Sequence, residues 1–113
     1  MPNQQQVQLD RVFHALGDPT RRAVLRRLSS GPAGVSELAR PFKMALPSFT
    51  QHLSVLEECG LVRSRKAGRV RTYQLVPKPL KAAERWMVEQ RSLWEKRLDQ
   101  LDDYLMQMKE KEE

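Results

Sequence analysis

Apolar residues recur along this chain at two different periods, and the switch from one to the other marks its parts. Leu9, Val12, Phe13 and Leu16 stand at helical spacing and Gly17 can close the turn, which predicts a first helix after a polar, frayed stretch over 1–8. Asp18 then offers a cap and Pro19 a first helical position, while Ala23, Val24, Leu25 and Leu28 supply the buried stripe of a second helix whose other side carries Arg21, Arg22, Arg26 and Arg27. The loop SSGPAG follows. Ser36 is a cap for a short third helix that Pro41 stops, because proline lacks the N–H the next turn would use. From Pro47 onward Phe49, Leu53 and Leu56 fall in a narrow arc of the wheel, with Pro47, Gln51, Ser54 and Glu58 opposite. That is a short amphipathic helix, which Gly60 can end in a left-handed conformation.

After Gly60 the period becomes two. Leu61–Arg65 and Val70–Val76 are β-prone segments around the turn Lys66-Ala67-Gly68-Arg69, and Tyr73 and Leu75 share the strand face that packs on the helices. Pro77 and Pro79 end this hairpin, and a long helix then runs toward Met108 without a glycine or proline. Leu80, Met87, Trp94, Leu101 and Met108 recur every seven residues along it, joined by Leu98 and Leu105. A seven-residue repeat of this kind is the seam of a helix that lies along another helix, here a second copy of the chain or the first helix of the same one. The fold class expected is mainly α with a small β-hairpin: a winged helix-turn-helix domain over 9–76, followed by a dimerisation helix and frayed tail over 77–113.

Composition narrows the function. At 113 residues, 40% hydrophobic and 30% charged, the chain is long enough for one core. Twenty Lys plus Arg against 14 Asp plus Glu leave a net charge of +6, an excess that suits a polyanionic partner. Between Gly60 and Ala83 stand seven of these cations and no acid, directly beside the fourth helix. Such a run is ordinarily a solvated face, but next to a groove-reading helix it favours phosphate contact. No signal peptide or membrane span is expected from the start MPNQQQ and the short apolar runs, and the single cysteine, Cys59, fits a reducing cytoplasm. No carboxylate pair, activated nucleophile or glycine-rich phosphate loop stands at a working spacing, so neither enzymatic activity nor a cofactor is expected.

The segments LGDPTRRAVLRRL (16–28), VSELARPF (35–42), HLSVLEECGLV (52–62) and GRVRTYQL (68–75) together resemble the ArsR/SmtB family of bacterial winged-helix repressors. The tail RSLWEKRLDQLDDYL (91–105) is similar to a branch of that family without the usual metal ligands. The resemblance implies a homodimer that binds a palindromic operator in double-stranded DNA and represses transcription, often of its own operon. It also implies a reading helix over 47–59 and a dimer interface on the first and last helices, so that Val12 and Phe13 would join Met87, Trp94, Leu98, Leu101 and Leu105. Metal-sensing members carry thiolates at positions matching Gly34 and Ser36, or carboxylates and histidines on the last helix. The only histidines here are His14 and His52, neither of them on that helix, so no metal site is expected. Ala45 stands where close relatives often have a capping serine, which leaves the start of the reading helix less firmly fixed.

The leading expectation is therefore a sequence-specific, dimeric DNA-binding repressor. Ser48 and Gln51 would read base edges, and Thr50 and Ser54 would contact backbone or flanking bases. Arg65, Lys66, Arg69 and Arg71 would hold phosphates or a minor groove. His52, on the flank of the apolar stripe, reads as half-buried, structural or phosphate-contacting, and Cys59 as a small packed residue rather than a redox switch. The rival readings are a winged-helix protein-interaction module and a repressor responsive to an unidentified ligand.

Overall fold

The computed structural model describes residues 3–112, which gather into two units that meet between Ala83 and Glu84. The first unit opens with α1 (Gln4–Leu16) and α2 (Pro19–Leu28). Helix α1 begins earlier than the apolar pattern indicates, since the Asn3 side chain accepts a hydrogen bond from the Gln6 amide at 2.9 Å and the glutamines that follow are good helix formers. Residues 3–8 are thus a capped helical turn rather than a frayed end; Met1 and Pro2, the rest of that expected stretch, lie outside the described residues. Asp18 caps α2 as its sequence indicates, accepting from the Arg21 amide at 3.0 Å with Pro19 in the first turn.

The SSGPAG loop contains an element that the sequence pattern does not reveal. Ala33–Gly34 form β1, which pairs antiparallel with the later strand β3 (Val70–Leu75), Ala33 opposite Tyr73 and Gly34 opposite Thr72. The short helix α3 (Val35–Ala39) starts from that strand, with Gly34 at its cap position; Ser36 lies inside the helix and caps nothing. Helix α4 (Leu46–Glu58) buries Phe49, Leu53 and Leu56 completely, and Phe42 from the preceding turn stacks on Phe49 with ring centroids 5.5 Å apart. Ala45 gives α4 no side-chain cap. At the other end Gly60, at φ +76°, lets the Leu61 amide reach back to the Leu56 carbonyl and its own amide to that of Glu57, both at 3.0 Å.

Strand β2 (Val62–Ala67) then pairs with β3 from Val62 opposite Leu75 to Ala67 opposite Val70. The hairpin turn is therefore only Gly68-Arg69, with Gly68 at φ +64°, and the sheet has three strands in the order β1-β3-β2 instead of the hairpin alone. One core cluster joins Phe49, Leu53 and Leu56 to Val12, Ala15, Val24, Leu25, Leu28 and Leu38 and to Leu61, Val62 and Tyr73 at the base of the wing. Val12, at 1% exposure, belongs to this core. It is enclosed by its own chain and has no surface to give a dimer partner, while Phe13 beside it is half-buried.

Helix α5 (Lys78–Glu112) begins in the first unit and makes up the second. Within the second unit Met87, Trp94, Leu98, Leu101 and Leu105 are all exposed, Trp94 at 69% and Leu101 at 50%. Among the described residues no helix is long and apolar enough to cross a membrane.

Candidate nucleic-acid interface

The exposed face of α4 is polar without being charged in its first half. Ser48, Gln51 and Ser54 are exposed and Thr50 is half-buried. The hydroxyls of Thr50 and Ser54 are already engaged: Thr50 Oγ1 donates to the Pro47 carbonyl at 3.0 Å and Ser54 Oγ to the Thr50 carbonyl at 3.1 Å. Toward a ligand these two oxygens present lone pairs and become donors only by rotating. Gln51 and Ser48 keep both functions available, which makes them the adaptable groups of the face.

The wing sorts its cations by strand register. Residues directly opposite in an antiparallel pair share a face, and neighbours along a strand alternate. Lys66 and Arg71 are directly opposite each other, on the same face as Ser64 and Tyr73, whereas Arg65 and Arg63 lie on the other face and Arg69 occupies the turn. Two like charges at directly opposed positions destabilise a sheet by a few tenths of a kcal/mol unless an anion intervenes. Here the anion is supplied by α4. Arg71 Nη1 donates to Ser64 Oγ at 2.7 Å, and Ser64 Oγ donates to Glu57 Oε1 at 2.8 Å. Glu57 thereby ties the wing to the end of α4. The wing residues Arg65, Lys66, Arg69 and Arg71 and the α4 residues Ser48, Thr50, Gln51 and Ser54 all belong to the first unit, but they occupy two faces of the wing and a turn, not one continuous strip.

Two residues that sequence reasoning leaves out organise this region. Glu57 is one, and a carboxylate on an otherwise acid-poor face was the signal available for it. Arg21 is the other. Its Nε donates to the Ala15 carbonyl at 2.8 Å, Nη2 to the His14 carbonyl at 3.0 Å, and Nη1 lies 3.2 Å from His52 Nδ1. One guanidinium therefore closes the end of α1 and holds a side chain of α4. Beside it, burial would raise the Asp18 carboxyl, but hydrogen bonds from the Arg21 and Thr20 amides and the positive charge of Arg21 hold it below its ordinary value.

On the far flank, a cleft of about 660 Å³ runs between α1 and α4, lined by Asp10, Arg11, His14, Val55, Glu58 and Cys59. The Cys59 thiol donates to the Arg11 carbonyl at 3.3 Å, and burial pushes its pKa up against the opposing pull of Arg11 and Arg21. A thiol so placed stays protonated and unreactive, in keeping with a packed residue. Among the described residues no three His, Cys, Asp or Glu side chains gather as they would around a metal ion.

Helices α3 and α4 in succession, the second amphipathic with a polar outer face, beside a three-stranded wing rich in cations, define a winged helix-turn-helix DNA-binding protein. Residues 16–65 match the family model described as a helix-turn-helix domain. The chain is 49% identical over 73 residues to the HTH-type transcriptional regulator Rv2034 of Mycobacterium tuberculosis, covering 65% of this chain and 68% of that one. It is 30% identical over 80 residues to the transcriptional repressor SdpR of Bacillus subtilis, covering 71% and 89%. The crystal structure of the ArsR family transcriptional regulator RHA00566 superimposes with a TM-score of 0.77 at 56% identity, over 84% of this chain and 97% of that one. The chain belongs to the ArsR family of winged helix-turn-helix transcriptional regulators, and as a DNA-binding regulator it is not an enzyme.

Proposed function

We propose that this regulator acts in the cytoplasm as a homodimeric, sequence-specific repressor of its own or an adjacent operon, on a near-palindromic operator. One observation carries the dimer and with it the symmetry of the site: the seven-residue apolar stripe from Met87 to Met108 is exposed along the second unit. An apolar stripe of that length in water calls for a complementary stripe, and a second copy supplies one. Two copies of α4 related by a twofold axis then read two half-sites about 34 Å apart. In each, Ser48 and Gln51 meet base edges, Thr50 and Ser54 the backbone or flanking bases, and Arg65, Lys66, Arg69 and Arg71 the phosphates or a minor groove. The opposed Lys66–Arg71 pair supports the phosphate reading, because it sets two cations side by side on one face of the wing and only Arg71 is tied, through Ser64, to Glu57. Repression rather than activation is supported by the likeness to a protein named as a repressor.

The test is footprinting on the DNA that flanks the protein's own gene, alongside sedimentation of the free protein. A protected, inverted-repeat site and a dimer at micromolar concentration are expected. A monomer bound to one half-site would remove the symmetric operator, and retention on DNA with no sequence preference would remove base reading by α4.

A further inference from the structure

Arg21 fixes the tautomer of His52. An arginine side chain has only donors to offer, so with its Nη1 3.2 Å from His52 Nδ1 the imidazole nitrogen must be the acceptor. The proton of the neutral ring then sits on Nε2. Arg21 is not free to give way, because Nε and Nη2 hold the Ala15 and His14 carbonyls at the end of α1. Asp18 Oδ2, the other charged group facing the ring, lies 3.8 Å from Nδ1, beyond hydrogen-bond distance, and accepts from the Arg21 amide instead.

The other edge of the ring is open. His52 Nε2 has no hydrogen-bond partner among the described residues, and no buried side-chain nitrogen or oxygen there lacks one, so Nε2 reaches the surface. The side chain is 24% exposed overall. His52 follows Gln51 directly and stands one helical turn after Ser48, on the edge of the α4 face assigned to base reading. A helix lying in a major groove directs its centre line at base edges and its flanks at the groove walls, which are sugar and phosphate.

We propose that His52 is a DNA-contacting residue, an uncharged N–H donor that Arg21 holds in place to hydrogen-bond a single backbone phosphate oxygen beside the groove α4 enters. The proposal rests on the reading of α4 as the groove helix. It differs from the wing contacts in kind. A cation displaces condensed counterions when it meets a phosphate, whereas a neutral donor adds affinity without changing the salt dependence.

The experiment has two arms. In the free protein, long-range proton–nitrogen correlation spectra of the imidazoles should show His52 protonated at Nε2 alone near neutral pH. A proton on Nδ1 overturns the proposal whatever the DNA results. In the second arm a duplex is selected from random DNA by the wild-type protein, and His52→Ala, His52→Asn and His52→Gln are compared on it. His52→Ala and His52→Asn should bind about tenfold more weakly, the loss expected of one hydrogen bond to a charged group, with the preferred sequence and salt slope unchanged. His52→Gln, whose amide nitrogen falls near the Nε2 position, should recover much of the loss, which a merely structural role would not predict. Replacing one phosphate per half-site with methylphosphonate should weaken the wild type and leave His52→Ala unaffected. Full affinity in a folded His52→Ala protein, or no phosphate position that couples to it, would sink the idea. A wild type that selects no sequence would sink the reading of α4 first, and the proposal with it.

Discussion

Asp18 shows how much one side chain at a helix start contributes. Its carboxylate caps α2 and lies beside His52 and Arg21, and its folded-state pKa is lowered from 3.8. A depressed carboxylate pKa stabilises the fold fully above the unfolded value and loses that contribution as the pH falls through the folded one. Asp18→Ala should therefore cost about 1 kcal/mol at neutral pH. The gap in melting temperature between mutant and wild type should narrow once the pH drops below about 4. Gln51→Ala, in contrast, should leave the fold alone and relax base preference, worth ~1–3 kcal/mol against the wrong base for a bidentate amide contact. Selection from random DNA would show it; an unchanged preferred sequence would move base reading to another side chain. The Asp18 cap was legible in the sequence from the Asp-Pro pair, and the exposed position of Gln51 on α4 from its place opposite Phe49 and Leu53. Arg21 and Val12 were not. Whether an arginine is solvated or turned back onto two carbonyls, and whether an apolar residue on α1 faces inward or outward, depends on which elements pack against it.

At the scale of elements, α2, α4 and the long α5 follow from periodicity because each carries a stripe long enough to average out local exceptions. Strand β1 escaped detection for the opposite reason: two residues beside a glycine and a proline have no period, and they become a strand only by pairing with residues almost forty positions later. The same non-local pairing holds the wing against the start of α3. Opposite responses are expected from two wing substitutions. Arg69→Ala should weaken binding to all duplexes and lower the salt slope by up to about one unit. Glu57→Gln should tighten binding to all duplexes at low salt, since it removes the acid tied through Ser64 to Arg71, with the gain shrinking as salt rises. Titrations across a salt series measure both, and a change in preferred sequence in either mutant would assign base reading to the wing.

For the whole molecule, the stripe of α5 sets what assembles. Leu101→Glu puts a charge in the middle of an apolar seam, so self-association and operator binding should be lost together while the helical circular dichroism of the first unit persists. Sedimentation and gel shift on the same samples decide it; a monomeric variant that still bound the full operator at wild-type affinity would separate the two properties. The seven-residue repeat made this surface legible in the sequence, and exposures of half or more at Leu98, Leu101 and Leu105 agree with an unburied stripe.

Strand β2 is an edge of the sheet, with one side bonded to β3 and the other open. An open edge is a template on which another strand can add, and charged side chains are a common means of keeping it solitary. Arg63, Arg65 and Lys66 make this edge hard to dock against itself, so the positive charge of the wing also protects solubility. Arg63→Val with Arg65→Val should turn the DNA-free protein toward time-dependent, concentration-dependent aggregation visible by light scattering, and glutamine at the same positions should do so much less. A protein of this design is least safe in the cell when its wing is neutral.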